Sequence, residues 1–271
     1  MPVLVPIDDP DDPRIAAYRD IRERDLVGRQ GRFVAEGTVV LDTLIRSRAH
    51  RAESLLIAQH RVATLEPMWS RLPDDVPVFS AAQAVVDAVA GFPLHRGALA
   101  IGRRAEERGV DALLAGTSGD VLLLCGIANH DNMGGLFRNA AAFGIGAVLL
   151  DADCCDPLYR KAIRVSVGAA LTVPCARLAR GEDPLALLDR HRISPVALSP
   201  TGAMPLADWQ PSKRAAVVLG AEGPGLAPDL MARMATVRIA MAPGFDSLNV
   251  ATTSGIVLHH LATARIRVRS T

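Results

Sequence analysis

Residues Arg238 to Leu261 read RIAMAPGFDSLNVATTSGIVLHHL, and their pattern calls for a strand, a tight turn and a capped helix. Val237 to Met241 is short and apolar, Pro243 and Gly244 break it, and Ser247 offers a side-chain oxygen where a helix begins. From Val250 the apolar residues recur at helical spacing, so Val250, Ile256, Val257, Leu258 and Leu261 can share one buried face. Yet Ser247, Asn249, Thr252, Thr253 and Ser254 crowd the first turns of that helix. A buried polar group without a partner costs about 1–3 kcal/mol, so a ligand or a second subunit is expected to supply partners. Ordinary capping with self-satisfied hydroxyls is the alternative.

Two further strands upstream end in loops of the same character. AAVVLGAEGPGL (Ala215 to Leu226) is an apolar run breaking into Gly220, Gly223 and Gly225 around one carboxylate, Glu222; PVALS (Pro195 to Ser199) runs into Pro-Thr-Gly. Glycines let a backbone approach a ligand closely, and three such strand ends favour one shared pocket. Earlier still, DVLLLCG (Asp120 to Gly126) has the continuous apolar character of a strand buried on both faces of a parallel sheet. The polar loop after it leads into a helix from about Met133 to Phe143 and a strand, Ala147 to Leu150, a right-handed crossover unit whose loop Asn129 to Gly134 lies where such sheets bind ligands. Dinucleotide binding is disfavoured, because no G-x-G-x-x-G follows this strand, and the absence of G-K-[ST] excludes a phosphate-binding P-loop. Tyr159 to Leu171 reads as helical, carrying Arg160, Lys161 and Arg164.

The first hundred residues alternate strands and helices, including GRFVAEG (Gly31 to Gly37) and HRGALAIG (His95 to Gly102), as a small α/β unit does. Nine arginines face five acidic residues between Arg14 and Arg51, which marks a basic segment within a chain of net charge only +1. That balance excludes binding nucleic acid by bulk charge while leaving room for a local patch. The expected organisation is a small α/β domain over 1–103, a linker over 104–119 and a second domain over 120–271. Cys125, Cys154, Cys155 and Cys175 lack metal or disulfide spacing, so no metal is expected. No apolar run reaches membrane-spanning length and the start lacks a signal-peptide pattern; a cytoplasmic protein is expected.

Three motifs stand in one order: N-x-G-x-x-x-R at Asn132, Gly134 and Arg138 with AAAFG at Ala140 to Gly144, G-x-E-G-x-G-L at Gly220 to Leu226, and I-x-M with S-L-N-V at Ile239, Met241 and Ser247 to Val250. VSVGAAL (Val165 to Leu171), FVAEG and HRGALA are weaker echoes. With these the chain resembles, over nearly its whole length, the SpoU/TrmH family of RNA ribose 2′-O-methyltransferases in the SPOUT superfamily. The resemblance implies an α/β fold whose mostly parallel-sheet methyltransferase domain is knotted as a trefoil, preceded by a small α/β RNA-binding domain. It implies S-adenosylmethionine as cofactor, structured rRNA or tRNA as partner, and a homodimer. It places Asn132 and Arg138 at the reacting ribose and phosphate, Glu222 in polar contact near them, and Ser247 and Asn249 beside the cofactor and across the dimer contact. Leu198, Ser199, Thr201, Leu219, Gly220, Ala221, Gly223, Ile239, Met241 and Leu248, with Glu222 and Ser247, are implied to wrap the cofactor. Arg29, Arg32, Glu36, Arg96 and Arg138 are implied to meet RNA. Two residues depart from the family pattern: Ala221 where Asn is usual, and Asn139 where Thr is common. The first leaves open a catalytically inactive, RNA-binding accessory protein that retains the methyltransferase fold.

Overall fold

The computed structural model describes residues 2–19, 27–28, 30–91, 93–94 and 97–269, with side chains through 266. The chain divides into two compact units: Met1–Glu106 with Asp156–Thr172, and Glu107–Cys155 with Val173–Thr271. Residues 156–172, expected in the second domain, thus belong by their contacts to the first unit.

In the first unit the described elements run β1 (Leu4–Ile7), β2 (Arg32–Glu36), α1 (Thr38–Arg46), β3 (Arg51–Ala58), α2 (Val62–Trp69), β4 (Val78–Ala81), α3 (Gln83–Ala90) and β5 (Ala98–Arg103). The sheet order is β1-β4-β3-β5-β2; β4 pairs in parallel with β1 and β3, while β5 is antiparallel to β2 and β3. Its core gathers Ile7, Ile15, Tyr18, Val34, Leu56, Phe79, Val86 and Leu99. β1 was not anticipated: four residues with Pro6 among them carry too little pattern to read as a strand. Tyr18 is buried and meets Ser54 Oγ at 2.7 Å.

The second unit begins with α4 (Val110–Ala115), inside the stretch expected as a linker, followed by β6 (Val121–Leu124), α5 (His130–Ala142) and β7 (Ala147–Leu150). After α6 (Arg160–Val165), which packs in the first unit, come β8 (Cys175–Arg177), α7 (Pro184–Arg190), β9 (Ser194–Leu198), β10 (Met204–Pro205), β11 (Ala215–Leu219), α8 (Pro228–Met231), β12 (Ala235–Arg238) and α9 (Val250–Arg269). The described strands form one sheet in the order β10-β12-β9-β11-β6-β7-β8, and every pairing is parallel. All four residues of β6 and of β7, and all five of β11, are buried, as a sheet covered on both faces requires. Val121, Leu123, Leu149, Val218, Leu187 and Leu188 pack in one core cluster. In α9, Val250, Val257, Leu258 and Leu261 face inward, whereas Ile256 is 39% exposed and does not belong to the buried face expected of it.

Candidate active site

β6 and β11 lie side by side, but the chain leaves β6 toward β7 and β8 while β9, β12 and β10 lie on the other side of β11. Such a reversal of strand order opens a crevice at the carboxyl ends of the strands. Two loops leave from it. One follows β6, and Asn129 Oδ1 caps α5 by accepting from the Asp131 and Asn132 backbone N–H groups at 2.8 and 3.2 Å. The other is Gly220 to Gly225, which doubles back so tightly that the Gly225 N–H donates to the Ala221 carbonyl at 3.1 Å. A Cβ at Gly220 would stand 2.4 Å from the Gly225 carbonyl carbon, so only glycine fits there.

Asn249, not Ser247, caps α9: its Oδ1 accepts from the Ala251 and Thr252 N–H groups at 2.9 and 3.2 Å. Ser247 is exposed and donates to Asp246 Oδ1 instead. Because capping requires the oxygen of the Asn249 amide, its Nδ2 points away from the helix. That nitrogen donates to Asn132 Oδ1 at 2.8 Å and to Glu222 Oε1 at 2.9 Å. Of the polar groups expected to need a ligand or second subunit, Asn249 finds partners on α5 and on the loop after β11 of the same chain, and Ser254 finds one on α5. The orientation propagates. Asn132, with only 7% of its surface exposed, spends its oxygen on Asn249 and keeps its Nδ2 as a donor. Glu222 keeps a second carboxylate oxygen as an acceptor.

α5 and α9 are held together below this cluster. A Cβ at Gly135 would lie 2.7 Å from Ala251 Cβ, and Asn139 Nδ2 donates to the Ala251 carbonyl and to Ser254 Oγ, both at 2.8 Å. Ser254 is fully buried. Arg138, the neighbour of Asn139, stands about 100° round the helix, exposed and outside the pocket lining.

The pocket itself has a volume of about 370 Å³, within the range of small-molecule sites. Leu198 and Ser199, the loop after β11, Ile239, Met241 and residues 247–250 line it. Of the residues expected to wrap a cofactor, all but Thr201 take part; Thr201 is exposed, its hydroxyl 3.2 Å from Ser199 Oγ, and Pro200 takes its place. Val250 and Thr253 were not foreseen as lining. The spacing of Thr253 from Asn249 is the signal that could have found it, since i+4 lies on the same face, and Val250 directly follows Asn249 in the chain. Among the lining residues Glu222 is the one charged group. Arg238 donates from Nη1 to the carbonyls of Gly202 at 2.7 Å and Ala203 at 2.9 Å, which fixes the loop after β9.

Asp151, just past β7, accepts from the Gly126 N–H at 2.8 Å and holds the loop after β6. Burial and the nearby Asp151 charge push the Cys125 thiol up to about 12 and raise Cys154 further, so neither supplies a thiolate. No group of three or more His, Cys, Asp and Glu able to hold a metal stands together among the described residues.

Arg29 and Arg96 lie outside the described residues. Arg32 donates to Glu53 at 2.6 Å and shares that carboxylate with Arg103. Glu36 is buried and committed to Arg160 Nε at 3.1 Å, with Arg164 Nη1 at 3.9 Å, so its carboxylate faces into the first unit.

The SpoU rRNA Methylase family matches residues 120–259, the span that contains this cluster. An uncharacterized tRNA/rRNA methyltransferase of Mycobacterium bovis is 38% identical, over 93% of this chain and 89% of that protein. The 23S rRNA (guanosine-2'-O-)-methyltransferase RlmB of Acinetobacter baylyi is 30% identical, over 80% of this chain and 96% of its own. In fold, the chain is similar to the AdoMet-bound rRNA methyltransferase of Sinorhizobium meliloti, with a TM-score of 0.79 at 20% identity over 97% of this chain and 98% of that one. The strand-end pocket, the polar cluster at its rim and the matched span agree, and the chain belongs to the SpoU rRNA Methylase family.

Proposed function

We propose that the protein transfers a methyl group from S-adenosylmethionine to a ribose 2′-hydroxyl of rRNA or tRNA. The observation that carries this reading is the Asn249 amide joining Asn132 and Glu222 at the rim of a strand-end pocket.

The pocket suits that donor. Leu198, Leu219, Ile239 and Val250 offer apolar faces to a purine, and the strand-end backbone offers polar groups to its edge. The lining holds no cation to oppose a sulfonium, and its one charge, Glu222, is complementary to it. When bound, S-adenosylmethionine supplies an electrophilic methyl group; the chain's own residues do the rest. Asn132 Nδ2 would donate to a ribose oxygen, and the free oxygen of Glu222 would take the proton that the attacking hydroxyl gives up as it bonds to the methyl carbon. Arg138, outside the pocket lining, grips the adjoining phosphate in the bidentate manner a guanidinium favours and keeps its proton throughout. Holding two reactants in line accounts for roughly 7–11 kcal/mol of such a barrier, so positioning is the main task of the site.

The protein works on RNA in the cytoplasm and as a homodimer. Phe245 at 70% exposure, Leu248 at 37% and Ile256 at 39% supply an apolar surface that a second copy would cover. Ala221 contributes its backbone carbonyl to the loop after β11, and the intact Asn132, Glu222 and Asn249 cluster speaks against an inactive accessory protein. Calorimetry with S-adenosylmethionine should show saturable binding. Tritiated methyl should pass to bulk undermethylated RNA. Binding without transfer would favour the accessory role, and no binding would end the proposal.

A further inference from the structure

We propose that Asn139, with Ser254 and the Ala251 carbonyl, is a positioning clamp that sets the register of α5 against α9 and thereby aligns Asn132 with Asn249. Nothing in the motif pattern assigns Asn139 a role, and it stands 115 residues from its partner Ser254. The inference rests on the methyltransferase reading above.

On α5, Asn132, Gly135 and Asn139 are spaced three and four residues apart, so they form one stripe. On α9 that stripe meets Asn249, Ala251 and Ser254 in turn: a hydrogen bond at 2.8 Å, a van der Waals contact too close for any side chain at Gly135, and two hydrogen bonds at 2.8 Å. The apolar contact alone fixes how near the helices come, but not how far one slides along the other. Directional bonds fix the sliding. Asn139 uses both amide hydrogens, one on the Ala251 carbonyl and one on Ser254 Oγ. The Ser254 hydroxyl donates in turn to the Ala251 carbonyl at 2.7 Å, so its oxygen is turned toward Asn139 as an acceptor. A Cβ at Gly255 would meet Asn139 Nδ2 at 3.4 Å, so the amide lies directly against this turn of α9. Ser254 is fully buried, and its network is satisfied only at this register. A slip along the axis would separate Asn132 Oδ1 from Asn249 Nδ2, and the donor that Asn132 presents at the pocket rim would be misdirected. Misplacements of about 1 Å can cost roughly 10²-fold in rate.

The test compares Asn139→Asp, which keeps the shape and removes both donors, with Asn139→Thr, which keeps one donor, and with Ser254→Ala. Each is assayed for tritiated-methyl transfer at saturating S-adenosylmethionine and RNA, for cofactor affinity by calorimetry, and for thermal unfolding. The expected result is a kcat at least tenfold lower for Asn139→Asp with cofactor Kd and RNA KM within threefold of wild type, and partial recovery in Asn139→Thr. A kcat within twofold of wild type in folded Asn139→Asp overturns the clamp. Should Asn139→Asp not fold, Asn139→Thr and Ser254→Ala decide: reduced kcat at unchanged Kd supports it, and wild-type kcat in both overturns it. An inactive wild-type protein would instead overturn the methyltransferase reading on which the clamp rests.

Discussion

Asn249 carries two duties with one amide, capping a helix with its oxygen and joining Asn132 to Glu222 with its nitrogen. The duties separate by substitution. Asn249→Asp keeps an oxygen for the cap but cannot donate, and it sets a second carboxylate against Glu222. Its unfolding midpoint should stay close to wild type while methyl transfer falls by roughly 10²–10³-fold, the range for losing one aligned donor; Asn249→Ala should lose activity and also about 1 kcal/mol of stability through the missing cap. Midpoints by circular dichroism and rates by label transfer check both. Arg138→Ala should abolish transfer while cofactor affinity, measured by calorimetry, changes by less than about twofold, because Arg138 stands outside the pocket lining; retained activity would remove it from the mechanism. Residue by residue, the sequence exposed the chemistry better than the geometry. Asn132, Glu222 and Asn249 were legible as polar residues at strand ends, but Ser247 and Asn249 are both capping types two positions apart, and only the path of the loop decides which one reaches the helix.

Among the elements, those with continuous apolar runs were the most legible: β6, β7 and β11 fall within their expected segments because every residue in them is buried. The run Tyr159 to Leu171 was misread as one helix. It breaks after α6, where Val167 adopts φ 54° and Gly168 φ 84° before a short 3-10 turn at Ala169–Leu171. A β-branched residue in that region is a true outlier, and the next residue, Gly168, sits against Thr43, whose nearest atoms would be 3.2 Å from an added Cβ. No periodicity reveals a contact between residues so distant in the chain. The turn after β11 gives an element-scale prediction. Gly220→Ala places a Cβ 2.4 Å from the Gly225 backbone, and relief by backbone movement should cost about 1–3 kcal/mol and reshape the pocket. Cofactor affinity should drop at least tenfold; unchanged affinity in a folded variant would show that the loop is not the cradle.

At the scale of the molecule, two units share one chain that passes between them at three points in sequence, near residues 106, 155 and 172. The insertion of 156–172 into the first unit could not be read from composition, since its packing partners, Glu36 and Thr43, lie more than a hundred residues earlier. The first unit also carries a pH signature. Burial, followed by the Arg104 charge, holds the His50 imidazole below its ordinary value of 6.5, and its Nδ1 accepts from the Ala105 N–H at 3.2 Å. Because the unfolded chain binds this proton more readily, His50 favours folding above about pH 6.5, and that contribution is lost as pH falls from there through the lowered native value. Unfolding midpoints should therefore decline as pH drops below 6.5, and the decline should flatten in His50→Phe; an identical slope in the variant would contradict the assignment.

The central claim is that the Asn132, Asn249 and Glu222 cluster directs a methyl group to a ribose hydroxyl, and the most direct measurement is the position of that methyl. Undermethylated RNA is treated with the protein and tritiated S-adenosylmethionine, then hydrolysed in alkali. The label should appear in alkali-resistant dinucleotides, which form only where the 2′-hydroxyl is blocked, and should vanish with Asn132→Ala. Label recovered on the bases, or undiminished transfer by Asn132→Ala, would contradict the account.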